Sequence, residues 1–463
     1  MTRDDSDPLD KKKLRRTVFR LTWPAFIELF MVTLFGMVDM MMVGQLGPAA
    51  IAAVGLTNQP FRLLLAIFSA VNVGATTLVA WKIGAGRYKE AKTVTRQIIV
   101  LNLFLGLAIS AVGIVYAPYV IRFMGANADT YKLALTYFQI VAAGLVFQAI
   151  SMGVTACLRG AGETKIPMLY NVVSNLLNVF GNYALIYGKF GMPRLEVAGA
   201  ALSTTIACAL AFLASLYVLF VWRKSKLSMK PNLKFRFDWS VVGQVFKIGI
   251  PAAGEQFVIQ GGLMFFARIV AGLGTSVYAA HQIGLNISGL TFAPSMAFGV
   301  AATALVGQSL GAGREKRAEE YANIIHNLAL GAGCFMGLIF ILFSHQPARL
   351  YTQNLAVIAM SGTVLKILAL AQPGQSTQLS LAGALRGAGD TVYPLYASLV
   401  GIWAIRLVFS HLFVNVFHWG LVGAWLALAS DQYVRSFVVY IRYRSGKWKE
   451  ISRAARARKA QES

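Results

Sequence analysis

Long apolar segments recur along this chain and restrict what it can fold into. A helix of about 20 residues crosses the roughly 30 Å hydrocarbon core of a bilayer. Twelve segments of this kind lie at about 21–44, 49–81, 98–121, 131–157, 168–188, 198–222, 246–271, 279–308, 322–344, 353–384, 393–416 and 419–441. Because only 13% of the residues are charged and 57% are hydrophobic, we predict an all-α integral membrane protein with twelve transmembrane helices.

The formal net charge of +24 follows the expected membrane topology. Lysine and arginine concentrate at both ends and in every second connection between spans, whereas the other connections carry few. Because basic segments stay on the cytoplasmic side, we predict a multi-pass protein of the plasma (inner) membrane with both termini cytoplasmic. The basic ends would contact anionic lipid at the cytoplasmic face. This distribution argues against nucleic-acid binding.

The two halves of the chain are similar when each residue of the first half is compared with the residue a fixed number of positions later. We call this shift the repeat offset. It places "PAFIELF" (24–30) on "PAAGEQF" (251–257) and "LRGAGETKIP" (158–167) on "LRGAGDTVYP" (385–394). Six spans in each half preserve membrane orientation, so we expect two parallel six-helix repeats related by an axis along the membrane normal. Two such bundles can rock and open a central cavity to either side in turn, which is typical of a transporter.

The repeat also predicts the domain organisation. We expect a cytoplasmic N-terminal tail at 1–20 and an N-lobe with helices 1–6 at 21–222. A basic cytoplasmic linker at 223–242 would lead into a C-lobe with helices 7–12 at 243–443, followed by a basic cytoplasmic tail at 444–463.

Acidic residues inside the predicted spans are functional candidates, because a charge at the bilayer centre costs about 2.5–3.5 kcal/mol. At the repeat offset, Glu28 has a counterpart in Glu255, whereas Asp39 meets Phe266. A pair kept in both halves is better explained by shared architecture, such as binding backbone amides near the preceding proline. An acid present in one half is better explained by chemistry, so Asp39 is our first choice. Glu28 and Glu255 remain candidates for a substrate cavity.

The other intramembrane charges favour the first half as the host of a cation. Asp431 and Arg435 are at positions i and i+4 and are expected to neutralise each other within one helix. Inside the spans the first half carries two acids and one base, whereas the second carries two acids and four bases. A proton or another cation is therefore more easily accommodated in the first half.

Uncharged polar and soft side chains add further candidates. Span 5 carries amides at helical spacing at Asn171, Asn175, Asn178 and Asn182. Such amides can join helices or bind a cation through their carbonyl oxygens, and both interpretations remain open. Asn72 and Tyr137 are further polar candidates. Met37 and Met40 are adaptable side chains beside Asp39 that could line a cavity for varied ligands, although methionine more often fills a core.

In these motifs the chain resembles the multidrug and toxic compound extrusion (MATE) family of antiporters. The resemblance covers about 15–445, with NorM-like and DinF-like features mixed. It rests on "VDMMMVGQLGPAAIAAVG" (38–55), "NLLNVFGNYALIYGKFG" (175–191), "AAHQIGLNI" (279–287) and the doubled "LRGAG". It implies two six-helix lobes forming a V, and export of bulky, often cationic drugs driven by protons or sodium.

The resemblance also implies a set of site residues. The family's span 1 acid falls on Asp39, its span 4 tyrosine on Tyr137, and its span 5 polar pair on Asn178 and Asn182. Branches with a well-described N-lobe site often carry an aspartate where this chain has Asn182. Asp39 would then be the sole acid of a proton site, or of a sodium site shared with the two amides. The span 10 acid of NorM-like members falls on Gln375, a candidate for the cavity rather than for a second sodium site.

These observations lead to a functional hypothesis. The chain would export small, amphipathic, cationic drugs by alternating access, with protonation of Asp39 releasing the substrate. Alternatives are sodium-coupled antiport, a lipid-linked oligosaccharide flippase of the same superfamily, or a channel. No HExxH, GxSxG or GxxxxGK[ST] motif occurs, so we expect neither an enzyme nor an ATP-driven pump. We expect a monomer without a cofactor apart from the coupling ion, H⁺ or Na⁺.

Overall fold

The computed structural model describes residues 11–230 and 236–461. Residues 1–10 of the expected N-terminal tail, 231–235 of the expected linker and 462–463 of the expected C-terminal tail lie outside the described residues. The described ranges form α-helices and short π-helical segments joined by short connections, without a β-strand. The predicted all-α fold class is therefore confirmed.

Long helices match the predicted spans one to one within the described ranges. They are α1 (Lys11–Gly44), α2 (Pro48–Gly84), α3 (Tyr88–Phe123), α4 (Ala128–Gly160), α5 (Lys165–Tyr187), α6 (Glu196–Phe220), α7 (Trp239–Ala271), α8 (Thr275–Gly311), α9 (Glu315–Leu342), α11 (Leu355–Gly387), α12 (Val392–Val416) and α13 (Gly420–Arg444). Two shorter helices are α10 (Gln346–Arg349) and α14 (Trp448–Gln461).

Nine of these helices, among the residues described, are long and apolar enough to cross a membrane. The other long helices are α5, α7 and α13, and they carry polar side chains within their apolar sequence. These are the amides of α5, Glu255 and Arg268 of α7, and Asp431 and Arg435 of α13. Polar residues lower mean hydropathy, which explains why these three helices are less apolar than the other nine.

The two halves use the same close helix contact. Thr76 of α2 donates to the carbonyl oxygen of Ala156 at 3.0 Å, and a Cβ on Gly160 would lie 2.4 Å from the carbonyl oxygen of Thr76. At the position equivalent to Thr76 in the repeat, Thr303 of α8 donates to the carbonyl oxygen of Gly383 at 2.9 Å. The doubled "LRGAG" thus supplies a glycine that lets α4 approach α2, and α11 approach α8.

By their contacts the helices divide into two units. The first unit, Ile27–Gly249, has α4 packed against α2, α3 and α6, with α5 against α6. The second unit comprises Ile250–Ser463 together with the N-terminal residues up to Phe26, and has α11 packed against α8, α9 and α13. Leu14 and Val18 of α1 are buried in the core of this second unit.

Helix α12 departs from regular α-helical geometry. It contains two π-helical segments, Leu399–Leu407 and Leu412–Val416. Within the first of them, a Cβ added to Gly401 would lie 2.5 Å from Asp431 Oδ1. This glycine therefore permits the close approach of α12 to a buried charge on α13.

Candidate functional site

Helices α1 and α5 bring two acids into contact with two amides in the first unit. Asn171 Nδ2 donates to Glu28 Oε1 at 2.5 Å, and Asn182 Nδ2 donates to Asp39 Oδ1. Both pairs have the same sequence separation, which requires the two helices to run parallel and in register. The span 5 amides and the span 1 acids identified from the sequence are therefore direct neighbours.

Asp39 lies in a small polar site within a largely apolar unit. Its side chain is half-buried, and the Asn182 side chain beside it is fully buried. In the described part of the chain, Asn182 Oδ1 is buried without a hydrogen-bond partner. Tyr137 of α4 is 8% exposed and close enough to Asp39 to interact with it electrostatically. The structure thus brings three of the predicted site residues together.

The other span 5 amides do not bind Asp39. Asn178 Nδ2 donates to Ser203 Oγ and Thr204 Oγ1 of α6, both at 3.3 Å. Asn175 Nδ2 donates to the carbonyl oxygen of Asn171 in its own helix at 2.7 Å. The regular spacing in the sequence therefore does not correspond to one continuous ladder, because successive amides turn to different partners.

The remaining cavity candidates occupy separate places. Met37 and Met40 flank Asp39 on α1 and are partly buried, and Met40 packs against the apolar core of the first unit. Asn72 of α2 has a buried Oδ1 without a partner among the described residues. Gln375 belongs to α11 of the second unit, where it is 3% exposed.

Glu28 and Glu255 form buried ion pairs with arginines, so the expectation that they bind backbone amides is wrong. Arg159 Nη2 lies 2.9 Å from Glu28 Oε1, and Arg386 Nη2 lies 2.6 Å from Glu255 Oε2. Both arginines come from the doubled "LRGAG" and occupy equivalent positions of the repeat, as the two acids do. The shared offset was the signal in the sequence that could have identified these partners.

Asp431 of the second unit is shared between two arginines, which corrects the prediction of a closed pair within one helix. Asp431 Oδ1 lies 2.9 Å from Arg435 Nε, and Arg406 Nε of α12 donates to Asp431 Oδ2 at 3.0 Å. The Arg406 guanidinium also lies 5.7 Å from the ring centre of Phe266. At the position equivalent to Asp39, the second unit therefore carries an aromatic ring beside a buried cation.

The surroundings of Asp39 offer few ligands to a metal ion. Within the described ranges no three or more His, Cys, Asp and Glu side chains are grouped so that they could hold one. Asp39 and Asn182 contribute a carboxylate and one buried amide oxygen to this site. This set suits a single proton or a weakly held monovalent cation.

Comparison with known proteins agrees with this architecture. The MatE family model matches residues 24–184 and 251–412, once in each half. The probable multidrug resistance protein NorM of Thermotoga maritima is 31% identical over 449 residues, covering 96% of both chains. The multidrug resistance protein PmpM of Pseudomonas aeruginosa is 30% identical over 85% of this chain and 82% of its own.

A similar fold occurs among solved structures. The outward-facing structure of a multidrug resistance MATE family transporter of the MOP superfamily matches with a TM-score of 0.89 and 22% identity. The match covers 95% of this chain and 97% of that one. It supports the twelve-helix membrane fold predicted from the sequence.

Proposed function

This chain belongs to the MatE family, and from that premise we propose that it exports small, amphipathic, cationic drugs in exchange for protons. It would act as a monomer in the plasma membrane, with both termini cytoplasmic and its basic ends against anionic lipid. The observation that carries the proposal is the contact of Asp39 with Asn182. The repeat-equivalent position, Phe266, has no carboxylate.

In the proposed mechanism a proton and the cationic substrate compete for one carboxylate, that of Asp39. When ionised, Asp39 accepts the Asn182 amide hydrogen and attracts the positive charge of a substrate. Proton binding from outside removes the charge and with it the attraction, so the substrate leaves outward. The proton is released inward after the transporter returns to its inward-open state. Coupling then follows from the difference in affinity between states. Met37 and Met40 would let the cavity adapt to different ligands.

Sodium coupling is the second candidate because Asn182 Oδ1 is a buried carbonyl oxygen without a partner in the described structure. Together with Asp39 it offers two oxygen ligands of the kind that hard cations prefer. The Asn178 side chain directs its amide nitrogen to Ser203 and Thr204 of α6 rather than to Asp39. With one acid and few oxygens in place, proton binding is the function that the geometry supports better.

Transport in proteoliposomes tests the proposal. We expect an imposed inward proton gradient to drive export of a cationic dye by the wild type. Asp39→Asn should lower this rate by at least about tenfold, since it removes both the charge and the proton acceptor. Asn175→Ala is the matched control, because that amide donates only within its own helix. Replacing sodium by choline at constant pH should leave the wild-type rate unchanged.

Two results would contradict the proposal. Export by Asp39→Asn at the wild-type rate would remove Asp39 from the coupling mechanism. Loss of wild-type export in choline at constant pH would reject proton coupling in favour of sodium.

A further inference from the structure

A basic cavity lies in the second unit, whereas Asp39 belongs to the first. Its volume is about 460 Å³, which falls in the range of about 300–1,000 Å³ that is typical of small-molecule sites. Helices α1, α9 and α13 form its walls. Its polar lining includes Lys11 and Arg15 of α1, Asn323 and His326 of α9, and Tyr440 and Arg444 of α13.

In the described ranges, more basic than acidic side chains line this cavity. Glu320 is the acid of the lining, against the three cations Lys11, Arg15 and Arg444. None of these cations takes part in the ion pairs found in the described part of the chain. Within the same ranges, His326 Nδ1 is buried and lacks a hydrogen-bond partner. The cavity therefore offers positively charged donors to a ligand.

The corresponding helix surface of the first unit is covered by the protein itself. At the repeat offset, Arg96 of α3 occupies the position that Asn323 of α9 holds in the second half. Arg96 Nη2 donates to the carbonyl oxygen of Lys230 at 3.0 Å, and its Nε lies 3.2 Å from the sulfur of Met229. The chain after α6 thus lies over this surface. The chain covers this surface in the first unit and leaves the equivalent surface open in the second. The fold itself therefore does not require an open cavity here.

Exposed apolar side chains continue from the cavity along two of its helices. On α1, Phe19 and Trp23 follow Arg15 at i+4 and i+8, so all three lie on one face, and the two rings are 65% and 50% exposed. On α13, Phe437 lies two turns before Arg444 on the same face and is 64% exposed. On both helices a basic side chain thus shares one face with exposed aromatic rings. This arrangement suits the boundary between lipid headgroups and acyl chains.

We propose that this cavity binds the phosphate headgroup of an anionic phospholipid, with the acyl chains along the exposed rings of α1 and α13. The phosphodiester oxygens would accept charge-assisted hydrogen bonds from Lys11, Arg15 and Arg444. A zwitterionic headgroup is disfavoured because its ammonium group would meet the same cations. A soluble phosphate ester shares the headgroup chemistry but would make no use of the exposed rings.

Lipid binding to the purified full-length protein tests this site directly. Native mass spectrometry from detergent would compare phosphatidylglycerol with phosphatidylcholine of identical acyl chains. The test variant is Arg15→Gln with Arg444→Gln. The matched control is Arg16→Gln with Lys447→Gln, which removes two exposed cations next to them in sequence but outside the cavity. All four side chains are exposed, so melting temperatures should stay close to that of the wild type.

We expect the wild type to bind phosphatidylglycerol about tenfold more tightly than phosphatidylcholine, the test variant to lose this preference, and the control to keep it within about twofold. An equal loss in the control would mean a diffuse surface effect and would overturn the proposal. Equal affinity for both lipids would do the same. If millimolar glycerol phosphate displaced the lipid completely, the site would be one for a soluble phosphate ester. The readout is binding, so failure of the transport proposal would not affect it.

Discussion

Replacement of Arg386 by methionine tests the buried ion pairs most directly. The side chain of Glu255 is 1% exposed and that of Arg386 is 16% exposed. Without the arginine, the hydrogen-bond donor left to this carboxylate within the described ranges is the Ser398 hydroxyl, 3.3 Å from Oε1. Breaking a buried pair in this way costs about 3–5 kcal/mol. Because one hydrogen bond remains, we expect about 3 kcal/mol, a factor on the order of 100 in the unfolding equilibrium.

The reverse change should cost less. Glu255→Gln leaves Arg386 without its carboxylate, but the partly exposed guanidinium can turn toward a more polar environment, so we expect about 1–2 kcal/mol. The double variant Glu255→Gln/Arg386→Met should be more stable than Arg386→Met alone, because uncharged replacements of both partners leave no buried charge. The double-mutant cycle then gives the coupling energy of the pair.

The measurement is equilibrium unfolding of the purified protein in mixed micelles, followed by tryptophan fluorescence. The control is Lys316→Met near the start of α9. This lysine forms none of the ion pairs found in the described ranges. Its replacement should change the free energy of unfolding by less than about 0.5 kcal/mol. If Arg386→Met cost no more than this control and the two changes were additive in the double variant, Glu255 and Arg386 would not form the buried pair described.

Three further changes test the fold and the site. Gly387→Ala places a methyl group against the α8 backbone, where the nearest carbonyl oxygen would be 2.6 Å away. This change should cost about 1–3 kcal/mol and lower the melting temperature. Gly331→Ala, with open space around it, should raise the melting temperature slightly. Asn182→Ala removes a hydrogen bond to a carboxylate worth about 1.5–3 kcal/mol and should lower drug export in proteoliposomes by roughly tenfold or more, whereas Asn175→Ala should not; equal rates would separate Asn182 from coupling. Asp431→Asn leaves two buried arginines without their shared acid and should cost about 3–5 kcal/mol in mixed-micelle unfolding; a loss below about 1 kcal/mol would contradict the shared pairing.

The sequence predicted the helices better than their ends. Hydropathy marks the part of a helix that can lie in the bilayer, so it predicts a start for span 3 at about residue 98. The helix itself begins at Tyr88, because the polar stretch "YKEAKTVTRQ" continues it without interruption. The π-helical segments of α12 had no signal in the sequence. The first of them packs Gly401 against α13, and such a tertiary contact is not encoded in local sequence spacing.

Partners of buried charges were the least predictable feature, since helical spacing identifies neighbours on one helix only. The i, i+4 spacing predicts that Asp431 contacts Arg435, but it cannot predict the contact with Arg406, which lies on α12. It also grouped Asn178 with Asn182, whereas the structure directs the Asn178 amide to α6. Comparison of the two halves was more informative, because two residues that recur at equivalent positions of both halves can be recognised as partners even when they lie on different helices.

The repeat therefore serves as an internal control for function. Glu28 and Glu255 have equivalent arginine partners in the two halves, and features that the fold needs twice are expected to be structural. Asp39 is not repeated, and its counterpart Phe266 lies beside Arg406. A guanidinium stays protonated at any physiological pH, so it cannot exchange a proton during transport. A carboxylate can, which supports the proposal that a proton and the substrate compete for Asp39 in the first unit.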